Sequence, residues 1–271
     1  MYKVFDKIPT LKIKYESRYF SNVLVLLFIL IFNYCSFSQS TLIDELDYNK
    51  DSRSLVFMLN SNGYATGFRF SKRIDGFRSR LIDIDLVWYK HPKEQRMSSL
   101  YANQSKFVYG KLNQLLILRT GYGKQKELFG KYAKNGIVIS FYYTLGASLG
   151  MLKPVYFDVI KGFDFDNRVL FESEKFDKEE ILNPGQIYSG GSFFKGFDEL
   201  EPVFGGYIKL AFSFNINKTY KAINTLEIGT VFDFYHKQLP LMAYSENKQY
   251  IFTMFIAYRF GKKREQRINN Q

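Results

Sequence analysis

Residues 80–90 read RLIDIDLVWYK. Asp83 and Asp85 alternate with Ile82, Ile84 and Leu86, and a period of two is the side-chain period of a β-strand. In a soluble sheet the apolar side would face a core and the carboxylates would face water. The inverse arrangement turns the apolar side to lipid and the aspartates to the interior of a closed barrel. The rest of the chain decides between them.

The chain has 271 residues, enough for one or two domains. Aromatic residues make up 18%, with 21 Tyr and 28 Phe. That usage suits strands and membrane interfaces better than helical bundles. At the N-terminus, Lys3, Lys7, Lys12, Lys14 and Arg18 precede VLVLLFILIF (23–32), and NYCSFSQ follows. A basic region, an apolar run and the small-x-small site Ser36-Phe37-Ser38 predict a signal peptide over 1–38, cleaved before Gln39. The run falls short of the roughly 20 apolar residues of a transmembrane helix, and an uncleaved signal anchor is the alternative.

Cys35, the one cysteine, lies in that segment. Tyr34 before it is too large for lipoprotein processing. The mature chain then has no cysteine, which excludes disulfides, thiolate catalysis and cysteine zinc sites. Five Lys/Arg and two Asp/Glu in residues 1–38 carry +3, so the mature chain keeps +9 of the total +12. An exported basic surface meets anionic lipid headgroups before it meets nucleic acid.

After a polar lead-in at 39–53, eight strand candidates follow at 54–61, 66–74, 79–90, 113–124, 136–150, 203–216, 222–236 and 249–261. Most exceed the five or six residues usual in soluble sheets and match the roughly 9–11 that a tilted strand needs to cross a bilayer. An even strand number with both ends on one side is the bacterial outer-membrane pattern. The second connection (DGFR) and the sixth (NKTYK) are tight, while the fourth (QKELFGKYAKN) is longer. On the opposite side lie the longest connections, 91–112 and 151–202, and one tight turn, SNGYA, with Asn62-Gly63 as a hairpin signal. The barrel is thus expected over 54–261, with a basic periplasmic tail at 262–271.

Alternation assigns the faces. In the last strand Phe252, Met254, Ile256, Tyr258 and Phe260 oppose Thr253, Ala257 and Arg259. In the sixth, Ile208, Leu210, Phe212 and Phe214 oppose Lys209, Ala211, Ser213 and Asn215. The fifth sets Ile139, Phe141, Tyr143 and Leu145 against Ser140, Tyr142, Thr144 and Gly146. The interior of an eight-stranded barrel only just accommodates side chains, so the bulky faces are expected outside and small residues with isolated charges inside. A lipocalin-like soluble barrel would reverse the facing. The expected lumen charges are Arg69, Arg119, Lys209 and Arg259 against Asp83, Asp85, Glu227 and Asp233, four of each sign. An unpaired charge in a narrow interior costs several kcal/mol, so balance is expected of a closed barrel and not of a water-filled pore. The aspartates of the opening stretch read as structural counter-ions.

With these strands in place, the sequence resembles small outer-membrane β-barrel proteins of Gram-negative bacteria, of the OmpA/OmpX-like and PorT-like kind. The closing strand YIFTMFIAYRF (250–260) looks like the C-terminal signal that the barrel-assembly machinery reads, although GKKREQRINNQ follows the final aromatic. WYKHPKE, FVYGKLNQ and LGASLGMLKPVY look like stretches of an uncharacterised group of such barrels. The resemblance implies an all-β, eight-stranded antiparallel up-and-down transmembrane barrel. It also implies contact with outer-membrane lipid and lipopolysaccharide, and with the assembly machinery during insertion.

The residues offer little chemistry. His91 and His236 stand at the outer ends of predicted strands, with Ser98 or Ser99 and Asp233 as local partners. No motif sets a nucleophile against either ring, and 233 and 236 point to opposite faces of a regular strand. KGFDFDNR carries Asp164, Asp166 and Asn167 but lacks the Gly and distal Glu of a calcium loop. GYGK (121–124) is no phosphate loop, and KKREQR reads as a surface charge run. The expectation is a non-enzymatic outer-membrane barrel with a closed, charge-paired lumen and a structural or interaction role, without cofactor, metal or nucleic acid. The alternatives are a lipid hydrolase, acyltransferase or protease at the outer rim, and a small-solute pore.

Overall fold

The computed structural model describes residues 50–101, 104–129, 137–166, 169–176, 183–216 and 222–265. The predicted signal segment, residues 39–49 of the lead-in, the sixth connection, most of the fourth, Asn167 and residues 266–271 lie outside the described residues.

Eight long strands form the barrel: β1 (Lys50–Asn60), β2 (Gly63–Arg73), β3 (Arg78–Tyr89), β6 (Asn113–Phe129), β7 (Val138–Pro154), β11 (Glu201–Asn215), β12 (Ala222–Tyr235) and β13 (Tyr250–Glu265). Short strands stand between them: β4 (Arg96–Met97), β5 (Phe107–Val108), β8 (Tyr156–Phe163), β9 (Val169–Lys175) and β10 (Ile187–Gly190). The order around the ring is β1-β13-β12-β11-β7-β6-β3-β2, antiparallel throughout, and β1 closes on β13 from Lys50↔Glu265 to Asn60↔Phe255. Each long strand pairs with its predecessor in sequence, so the fold is an all-β, eight-stranded up-and-down barrel. All backbone N–H and C=O groups in such a wall can pair without a sheet edge.

Closure moves two predicted boundaries. β1 starts at Lys50, inside the predicted lead-in, and β13 runs to Glu265, inside the predicted tail. Residues 50–53 and 262–265 are polar and carry no strand signal of their own, yet they pair with each other. β6 extends through Phe129, which shortens the fourth connection. At the first hairpin the two-residue turn is Ser61-Asn62, one position earlier than the Asn-Gly signal suggests. Gly63 opens β2 opposite Asn60 with φ 120°, and a Cβ there would lie 2.1 Å from the Trp88 carbonyl oxygen.

The facing follows the alternation. Ile82, Ile84 and Leu86, Ile208, Leu210 and Phe212, and Phe252, Met254 and Ile256 are exposed on the outside, while Asp83, Asp85, Lys209 and Thr253 are buried within. A soluble monomer rarely exposes an apolar patch beyond a few hundred Å². A continuous belt of such side chains around a barrel suits lipid. Tyr64 and Trp88 stack at 6.3 Å near the end that bears the long loops, and Phe57 and Phe260 stack at 5.8 Å around the middle of the wall.

The lumen corrects one expectation. Small residues and charges occupy only part of it. Toward the long loops it is filled by Val87, Ile117, Val203, Tyr235, Ile251 and Phe255, all buried. Period two tells a strand which side faces in but not how polar that side must be, and a dry interior accepts apolar side chains. The connection 236–249 joins this layer: Leu239, Leu241 and Met242 are buried in the same cluster. Its backbone is held by Leu112 N–H donating to Leu241 O at 2.9 Å and Ala243 N–H to Gly110 O at 2.7 Å.

The connection 151–202 is also more ordered than its sequence suggests. β7 continues to Pro154, and β8, β9 and β10 form a three-stranded sheet in the order β10-β8-β9. Phe157, Val159 and Ile187 from this sheet pack with Phe107 and Phe176 in a second small core.

Candidate functional site

The alternation of β2, β3, β6, β11, β12 and β13 sends one or two charged side chains each into the middle of the barrel. Arg69 reaches Asp83 in a forked contact, Nε to Oδ1 at 2.7 Å and Nη2 to Oδ2 at 2.9 Å. Its remaining amine, Nη1, donates to Glu227 Oε1 at 2.8 Å. Arg259 Nε donates to the same oxygen at 2.6 Å, and the Tyr142 hydroxyl donates to Oε2 at 2.6 Å. Lys209 Nζ bridges Asp83, at 3.3 Å, and Asp85. Arg119 grips Asp233 with Nε to Oδ1 at 2.8 Å and Nη2 to Oδ2 at 2.7 Å. All eight side chains picked out by alternation and charge therefore sit in the lumen, and each has an oppositely charged neighbour among the other seven.

Several of these contacts span the lumen. β2 and β12, β3 and β11, and β6 and β12 each stand three places apart in the eight-membered ring. Forked arginine–carboxylate contacts are the stronger kind of charged hydrogen bond because two parallel bonds share one orientation. Room for the long side chains comes from glycine. At Gly121 a Cβ would lie 2.4 Å from the Tyr207 hydroxyl, which leans into that space.

Tyr142 belongs to this network and was not singled out from the sequence. Its inward parity on the fifth strand could be read, but the donor–acceptor contact could not. Besides its bond to Glu227, its ring lies under the Arg69 guanidinium, with Cζ 4.1 Å from the ring centroid. A second polar cluster at the loop end also went unread. There Lys111 Nζ contacts Glu94 Oε2 at 2.9 Å and Gln114 Oε1 at 2.6 Å.

No family model and no curated protein matches the sequence. Among solved structures the chain is similar to Neisserial surface protein A (NspA), at 9% identity and a TM-score of 0.38, covering 79% of this chain and 96% of that one. It is likewise similar to Ail, the attachment invasion locus protein of Yersinia pestis, at 9% identity and a TM-score of 0.38, covering 80% of this chain and 99% of that one. The architecture rests on this chain's own strand pairing: it is a small, closed, eight-stranded antiparallel β-barrel.

The two histidines lie apart from the lumen network. His236 is exposed, and its Nδ1 is 2.9 Å from the Phe204 carbonyl oxygen. Asp233, three residues earlier, points inward to Arg119. His91 Nδ1 accepts the Lys93 amide at 3.3 Å. Burial, together with Lys93 and Lys111, outweighs the pull of Glu94 and holds the His91 imidazole below its ordinary value. The Ser99 hydroxyl donates to the Tyr188 carbonyl at 2.6 Å, on β10. Asp164 and Asp166 are exposed, with Asp164 Oδ1 accepting the Phe165 amide at 2.8 Å. Among the described residues no group of three or more His, Cys, Asp or Glu is arranged to hold a metal.

In the lumen, the carboxylates are occupied by Arg, Lys or Tyr donors. The arrangement neutralises charge and ties distant strands together.

Proposed function

We propose that this chain is an exported outer-membrane barrel whose lumen is closed by paired charges, and that it serves a structural or interaction role without catalysis. The observation that carries the reading is the set of contacts from Arg69 to Glu227, Lys209 to Asp83 and Arg119 to Asp233 between non-adjacent strands. Conduction needs a continuous water path. Here four cations and four anions meet in the middle, and apolar side chains including Leu241 and Met242 fill the space toward the loops. Export is supported by the basic segment, the apolar run 23–32 and Ser36-Phe37-Ser38 before Gln39. In this reading the outer belt contacts membrane lipid and lipopolysaccharide, and the closing strand engages the barrel-assembly machinery during insertion.

The test is electrical. Purified protein reconstituted into planar lipid bilayers should give no steady conductance above that of protein-free membranes. Stable, ohmic openings in repeated preparations would sink the closed-lumen reading and favour a pore. Fractionation of the source cells should recover the chain in the outer membrane with Gln39 as its N-terminus. An uncleaved chain in the inner membrane would defeat the export reading.

A further inference from the structure

Toward the short turns, a row of cations crosses the outer wall of the barrel. On the outer wall Phe70, Ile82 and Tyr122 stand side by side on β2, β3 and β6. One rung beyond them, Lys72 is directly opposite Arg80, and Arg80 is directly opposite Lys124. Arg78 is opposite Lys126 on the rung after that. All five are exposed. Directly opposed residues on antiparallel strands lie roughly 4.5–5.5 Å apart between Cα atoms, and like charges so placed are destabilising.

Among the described residues, the acids at this end do not compensate. Asp75 caps its own turn, accepting the Phe77 and Arg78 amides at 2.9 and 2.7 Å, and it is 3.9 Å from Arg78 Nε. Glu127 faces inward and pairs with Arg73 at 2.5 Å. Asp51 already has a partner of its own. No ion pair joins Lys72, Arg80, Lys124 or Lys126 to a carboxylate among the described residues. The sequences of the connections 130–136 (GKYAKNG) and 217–221 (NKTYK) contain lysines and no acid.

From this geometry we infer that Lys72, Arg80 and Lys124, flanked by Arg78 and Lys126, form a binding surface for the headgroups of anionic phospholipids in the leaflet at the turn end. The inference rests on the barrel spanning a membrane as proposed above. The row continues the outer face one rung past Phe70, Ile82 and Tyr122, with exposed Ile74 and Leu128 beyond it toward the turns, and long cationic side chains set among apolar ones suit the membrane interface. Its charge is complementary to a phosphodiester and its repulsion is relieved by one. An anionic surface attracts each nearby Lys or Arg appreciably, so the row should discriminate between lipids of different charge.

The experiment measures lipid selectivity. The full barrel is reconstituted in phosphatidylcholine vesicles with trace spin-labelled phosphatidylglycerol or spin-labelled phosphatidylcholine, and the protein-associated fraction of each label is read by electron paramagnetic resonance. We expect phosphatidylglycerol to be favoured about fivefold, the effect of one cation at such a surface. The preference should fall to about one in Lys72→Gln/Arg80→Gln/Lys124→Gln and survive in the loop-end control Lys90→Gln/Lys93→Gln/Lys195→Gln. On the unmodified protein, half-molar salt should erase most of the preference, which needs no variant to fold. A second readout has a sign. In zwitterionic detergent Arg80→Gln should raise stability by removing repulsion, and in phosphatidylglycerol vesicles that gain should vanish or reverse. Equal preference in the parent and the turn-end triple variant would overturn the inference, as would a preference lost only in the loop-end control. A protein that inserts and refolds but shows no lipid preference defeats this inference alone, whereas failure to insert into any bilayer defeats the membrane reading beneath it.

Discussion

Glu227→Gln removes one charge from the most heavily used carboxylate in the lumen. Glu227 accepts from Arg69 at 2.8 Å, Arg259 at 2.6 Å and Tyr142 at 2.6 Å. Arg69 keeps its forked contact with Asp83, but Arg259 is left with the Ser213 hydroxyl at 3.5 Å. The amide has nearly the same volume, so no cavity forms, and the loss is electrostatic. Two charge-assisted hydrogen bonds at about 1.5–3 kcal/mol each give about 3–6 kcal/mol. That overlaps the roughly 3–5 kcal/mol for removing one partner of a buried ion pair. Reversible urea unfolding in lipid vesicles, followed by the fluorescence of Trp88, the one tryptophan, measures the difference. The double variant Glu227→Gln/Arg259→Gln should be less destabilised than the sum of the two single variants, because the second change removes the stranded cation. If Glu227→Gln unfolds within about 0.5 kcal/mol of the parent, the ordinary range for surface changes, the lumen is wetter than these contacts imply and the pairing argument fails.

On the outer face, Ile84→Leu should be nearly silent and Ile84→Arg should cost about 2–4 kcal/mol near the bilayer midplane; the same unfolding assay checks both, and tolerance of the arginine would reverse the assigned facing. At the loop end, the folded-state pKa of His91 lies below its ordinary value, so the folded protein binds fewer protons than the unfolded chain and stability falls as pH drops below about 6.5. Acidification from about pH 7.5 to about pH 5 should speed amide exchange in residues 91–101 and 104–111, and His91→Gln should flatten that response; an unchanged profile in the variant would show that another group titrates there.

Local periodicity carried the sequence reading a long way. The alternation in RLIDIDLVWYK and in YIFTMFIAYRF is a property of consecutive residues, and the period of two survives whatever the rest of the chain does. Strand length, strand number and the inward set from Arg69 to Arg259 follow from it. The boundaries at Lys50 and Glu265 do not, because those polar ends become strand only by pairing across the closure.

What tertiary structure alone decided is who meets whom. That Glu227 collects Arg69, Arg259 and Tyr142, while Arg119 turns to Asp233, depends on the stagger of eight strands around a closed ring. Each strand's own pattern is indifferent to that stagger. The insertion of Leu241 and Met242 into the lumen mouth and the sheet within 156–190 were hidden for a related reason. These segments are short and irregular, and burial against distant parts of the chain, rather than any local period, gives them their structure. The cationic row of Lys72, Arg80 and Lys124 lay in plain view as three separate residues, and only the register of β2, β3 and β6 brings them side by side.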